Sequence, residues 1–115
     1  MKIVINTDFG GFGLSDSAYM RYLELKGIEY ETKTNKFGTV EFYKKGHLGQ
    51  DNHYLSYYDI KRDSPFLVQV VEEMGEKANS KYSSLSVIEI PDNVEWIIEG
   101  YDGMEHIAEK HRIWP

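Results

Sequence analysis

The chain has 115 residues, enough for one domain with its own core, and its 41% hydrophobic and 14% aromatic content excludes a disordered or low-complexity polymer. The absence of cysteine excludes disulfide scaffolding, thiolate catalysis and zinc–thiolate sites together. The net charge of −6 falls entirely in residues 65–115, where four basic side chains stand against ten acidic ones, the reverse of the basic stripe a duplex-DNA binder needs.

No apolar run reaches the roughly 18–20 residues of a membrane span. Met1-Lys2-Ile3 leads straight into structure rather than into a signal peptide, so a cytoplasmic protein is expected. Ile3 to Ile5 is a continuous apolar run, the mark of a buried strand. Three glycines in four residues (Gly10, Gly11, Gly13) then interrupt the chain. Ser15 is a good N-cap, Asp16 favours the first turn, and Ala18, Tyr19, Tyr22 and Leu23 share one helical face that ends at Gly27.

Glu29–Lys33 and Thr39–Tyr43 are strand-like and close enough for a hairpin. Lys44 to Asp63 is the least regular stretch, with Tyr54–Tyr58 as one further strand candidate. Asp63 or Ser64 caps a second helix with Pro65 at its first position. There Phe66, Val70, Met74 and Ala78 form a row flanked by Leu67 and Val71, Gly75 is tolerated, and Asn79 closes the helix. Leu85–Ile90 and Val94–Tyr101 are expected strands around the turn Pro91-Asp92-Asn93. Asp102 to Glu105 loosely matches a capping box, so a short third helix is expected with Met104, Ile107 and Ala108 inward, and Trp114 is expected to pack. These elements make a single compact α+β domain over residues 1–115: a mixed or antiparallel sheet on two main helices, plus a short C-terminal helix.

Strand, glycine loop and helix start together form the usual frame of a backbone anion site. Phe9, Gly10, Gly11, Phe12, Gly13 and Ser15 are its candidate residues. The dinucleotide fingerprint is incomplete, since Asp16 stands where the third glycine belongs, and no Gly-Lys-Ser/Thr of a P-loop follows. The competing reading is a tight strand-to-helix turn with Phe9 and Phe12 packed inward. Basic and aromatic residues adjoin one another twice, as Tyr57, Tyr58, Lys61 and Arg62 and as His111 and Arg112 beside Trp114. Arginine forks a phosphate and tyrosine stacks on a base, so these could complete a nucleotide pocket.

The four histidines lack metal-ligand spacing, Glu105 and Glu109 would share a face of the third helix, and no serine sits in a nucleophile elbow. No catalytic residue, metal or cofactor is therefore expected.

The opening KIVINTDFGGFGLS and the ending VIEIPDNVEWIIEGYDGMEHIAEKHRIW resemble an uncharacterised family of small bacteriophage and prophage proteins. Its members begin with a KIVIN strand and a glycine–aromatic loop and end in an EIPDDVEW…YDG…AEKHR-W pattern. The resemblance covers roughly residues 1–27 and 59–114 and brings no functional residue with it. It implies a phage context, in which small accessory proteins often disarm host defence. The leading expectation is thus a non-enzymatic protein of the host cytoplasm, a homodimer or higher homo-oligomer, that sequesters a nucleotide-derived signal. The alternative is an acidic inhibitor or adaptor that meets a basic host protein.

Overall fold

The computed structural model describes residues 1–110. β1 (Lys2–Asn6) is buried from Ile3 to Asn6, as its unbroken apolar run predicts. It pairs antiparallel with β5 (Leu85–Glu89), Val4 lying opposite Val87. Among the described residues its other edge meets no strand. There the Val4 N–H donates to the Arg62 carbonyl at 2.9 Å, and the Asn6 N–H donates to the Glu105 carboxylate at 2.8 Å.

Helix α1 (Asp16–Lys26) packs on α2 (Pro65–Met74), and α2 packs on β1. In α1 the Ser15 hydroxyl caps the first turn by accepting from the Ala18 N–H, and Gly27 closes the last turn at φ 71°. Ala18, Tyr19, Tyr22 and Leu23 are buried, the four residues whose spacing marks one face. In α2 Ser64 is the N-cap and Pro65 opens the helix. Its buried stripe is Leu67, Val68, Val70 and Val71, while Phe66 and Met74 are only half-buried. Gly75 takes φ 57°, which ends the α-helix at Met74 and leaves Gly75–Ala78 as a tighter 3₁₀ turn.

The expected hairpin forms one residue later than its sequence limits, as β2 (Tyr30–Thr34) and β3 (Val40–Lys44). β4 (Tyr54–Leu55) adds a third strand, and Tyr57–Asp59 is a 3₁₀ turn, so only two residues of the 54–58 candidate are strand. β6 (Trp96–Tyr101) and β7 (Met104–Glu109) make a second hairpin. Among the described residues three separate antiparallel sheets thus replace the single sheet expected from the sequence.

The short C-terminal helix is overturned. Asp102 and Gly103 take φ 49° and 86°, the two positive values of a tight hairpin turn, and residues 104–109 pair with β6 along their whole length. Glu105 and Glu109 therefore sit on a strand, and no capping box forms. The expected packing of Trp114 lies outside the described residues, as do His111 and Arg112. No helix among the described residues is long and apolar enough to cross a membrane.

Candidate binding site

Asn6, at the end of β1, organises the region. Its side chain is fully buried, and both amide hydrogens are used: Nδ2 donates to the carbonyls of Asp8 at 2.6 Å and Gly103 at 2.8 Å. Its Oδ1 accepts from the N–H of Ser84 at 2.9 Å and of Asp8 at 3.2 Å. One amide therefore ties together the glycine loop, the segment before β5 and the β6–β7 turn. A buried polar group costs little when it is satisfied this completely.

Glu105 completes the tie. Its two oxygens accept from Arg62 Nη1 at 2.6 Å and Nη2 at 2.8 Å, a bidentate pair, and one oxygen also accepts the Asn6 N–H. Burial pushes the Glu105 carboxyl up, but the Arg62 hydrogen bonds, the Asn6 N–H and the Arg62 charge outweigh burial and hold it below the usual carboxylate value. Arg62 also donates to the Val4 carbonyl at 3.3 Å, and its guanidinium lies 3.6 Å from the centre of the Phe12 ring.

Close backbone approach explains two glycines of the region. A Cβ on Gly10 would stand 2.2 Å from the Tyr82 carbonyl oxygen, and one on Gly103 would stand 2.5 Å from both the Phe9 carbonyl and the Gly11 nitrogen. Gly13 is held by Ser83, whose buried hydroxyl donates to the Gly13 carbonyl at 2.8 Å. Three backbone segments (8–13, 80–84 and 101–105) are thereby pressed against one another.

The candidate residues divide along this arrangement. Phe12 is buried, whereas Phe9 is exposed, so only one of the two phenylalanines packs inward. The Phe12 ring meets Tyr57 edge-on at 6.1 Å, and Gly13 lies beside the Tyr57 hydroxyl. Tyr57 in turn donates to the Tyr58 hydroxyl at 3.4 Å. The glycine loop, Phe12, Tyr57, Tyr58 and Arg62 are therefore neighbours, which their sequence separation does not reveal. Among the described residues the N–H groups of Gly10, Phe12 and Gly13 have no acceptor. Ser15 is occupied as the α1 cap and also donates to the Lys77 carbonyl at 2.7 Å. Lys61 is exposed.

His47 and His53 stack at 3.7 Å in the irregular loop. Burial first, then His47 and Lys44, holds the His53 imidazole below its ordinary value. His106 projects from β7 to Glu99 across the hairpin at 3.1 Å. Among the described residues no group of three or more histidines and carboxylates is placed to hold a metal ion.

Asn6, Glu105, Tyr82 and Tyr101 carry much of this region and were not candidates on sequence grounds. The signal that could have found the last two is Asp102-Gly103, a hairpin dipeptide that brings Tyr101 and Met104 to one end of the molecule. No family model matches the chain, and neither a curated protein nor a solved structure matches it.

Proposed function

We propose that the protein is a non-enzymatic binding protein that docks on a protein partner where segments 8–13, 80–84 and 101–105 meet. One observation carries this reading: the three segments that Asn6 ties together expose Phe9 (59%), Tyr82 (62%) and Tyr101 (76%), with Met104 opposite Tyr101 on the hairpin. Large apolar side chains on backbone this constrained lose little freedom on binding, and aromatics of this kind supply most interface hot spots. Asp8, Asp102 and Glu99 lie in or beside the same segments and outnumber Lys81, which sits over the Tyr82 ring at 5.4 Å, so a partner with an excess of basic groups at its rim complements the surface. The resemblance to phage proteins makes a host defence or nucleic-acid-handling protein the natural partner.

The test is affinity capture from bacterial lysate with the wild type and with Phe9→Ser combined with Tyr101→Ser. Loss of two hot-spot residues weakens capture of a specific partner about thirtyfold or more, corresponding to ~2 kcal/mol. Undiminished capture by a folded double variant contradicts the reading.

A second reading, sequestration of a nucleotide-derived signal, is favoured by Tyr57 and Tyr58 lying beside the glycine loop, whose Gly10, Phe12 and Gly13 N–H groups have no acceptor among the described residues. Arg62 is engaged by Glu105, so charge neutralisation in that reading rests on Lys61 and on His111 and Arg112. Tyr58→Ser with Lys61→Ala then abolishes ligand retention and leaves partner capture intact.

A further inference from the structure

A separate feature lies on the other side of Tyr57. The first turn of α1, strand β3 and segment 54–58 enclose a cleft of about 200 Å³. Five aromatic residues line it, Tyr19, Phe42, Tyr54, Tyr57 and Tyr58, and its one charged lining residue is Asp16. We propose that this cleft is a binding site for a small organic cation of the quaternary-ammonium type.

The chemistry follows from the lining. Aromatic faces attract a cation through their quadrupole, most strongly where water is excluded, and several rings around one carboxylate are the usual means of holding an ammonium that cannot donate hydrogen bonds. The rings are packed on one another. Tyr19 meets Phe42 edge-on at 5.0 Å and Tyr57 edge-on at 6.1 Å, and Tyr58 tilts on Tyr57 at 4.5 Å. Tyr19 and Phe42 are buried and fix the floor, while Tyr54 and Tyr58 are exposed at the mouth.

The charge is also of the required sign. Among the described residues Asp16 forms no ion pair, and no lysine or arginine lines the cleft. The α1 N-terminus contributes roughly half a positive charge, which the full negative charge of Asp16 exceeds. Burial, the Tyr58 contact and the nearby Asp16 all push the Tyr57 hydroxyl up, so the ring stays neutral at physiological pH. The volume is several times the ~30 Å³ of one water, room for a trimethylammonium head but not for a nucleoside phosphate. The site is independent of the partner surface, since Phe9, Tyr82, Tyr101 and Met104 do not line it.

The experiment is an NMR titration of the full chain with tetramethylammonium chloride, with sodium chloride at equal ionic strength as reference and neopentyl alcohol as the neutral probe of similar shape. The proposal expects saturable shifts at Asp16, Tyr54, Tyr57 and Tyr58 with tetramethylammonium, and binding at least about fivefold weaker for the alcohol. Asp16→Asn, which retains a residue suited to the first turn of a helix, is expected to weaken the cation about fivefold. Tyr58→Leu tests the mouth of the cleft without touching the core, and is expected to weaken the cation by a comparable factor. Glu76→Gln, on the exposed 3₁₀ turn that follows α2, leaves it unchanged. Equal affinity for cation and alcohol, an unchanged affinity in folded Asp16→Asn, or no saturable shift with tetramethylammonium each overturns the proposal. So does adenosine binding in the cleft with tetramethylammonium failing to compete.

Discussion

At the scale of single residues, Asn6 and Glu105 decide how the binding region is held. Asn6 spends both amide hydrogens on carbonyls and its oxygen on two N–H groups. Asn6→Asp replaces a donor with an acceptor facing two carbonyl oxygens and adds a buried negative charge next to Glu105. The expected cost is about 3 kcal/mol or more, a fall of more than ~10 °C in thermal midpoint, read by calorimetry. Glu105 gives a pH signature. Because its carboxyl is held below the ordinary value of 4.5, its contribution is complete above that pH and is lost as pH falls through the lower folded value. Stability should therefore drop steeply in acid for the wild type. Glu105→Gln should cost about 2–3 kcal/mol at neutral pH, less than a fully buried pair because both side chains keep some solvent contact, and should flatten the acid limb. An acid limb of unchanged steepness in Glu105→Gln would show that the pair contributes nothing to it.

At the scale of elements, most of the chain is legible from its sequence, and the exceptions have physical causes. The buried strand β1, the capped helix α1 and the Pro65 start of α2 all follow from local rules, because cap chemistry and apolar spacing act within a few residues. The third helix was misread because Met104, Ile107 and Ala108 satisfy helical spacing while Asp102-Gly103 is a hairpin signal, and over six residues the two patterns compete. Pairing with β6 decides it, a long-range fact that spacing cannot carry. The site was half legible. The glycine loop and the tyrosines were visible as separate motifs, but the engagement of Arg62 by Glu105 spans 43 residues and left no local trace. Glycines differ in the same way. Gly103→Ala faces both a positive φ and backbone atoms within 2.8 Å, and should cost about 2 kcal/mol or more. Gly38→Ala also has a positive φ, yet no atom within 4 Å, and should cost about half as much. Chemical denaturation of the two variants side by side checks the difference, and equal costs would mean that the convergence at Gly103 relaxes freely.

At the scale of the molecule, the parts that face solvent differ in kind. The helices and β1 enclose one apolar core, in which Leu67, Val70, Val4 and Leu23 are almost wholly inaccessible. The β6–β7 hairpin stands apart from that core and meets it chiefly through β7 at the end of β1. A two-stranded ribbon is marginal by itself in water, so its attachment through Asn6, Gly103 and Glu105 does more than orient it. That attachment presents Tyr101 and Met104 beside Phe9 and Tyr82, while α2 presents an ordinary charged face with Glu72 paired to Lys2 and Glu73 to Arg21. On the proposed function the first surface binds a protein and the second does not. Site-specific photo-crosslinking in bacterial cells distinguishes the two, with a benzoylphenylalanine placed at position 101 in one chain and at position 72 in another. The expected result is a discrete covalent adduct with one protein from position 101 and none from position 72. No adduct from 101, or the same set of adducts from both, would contradict it.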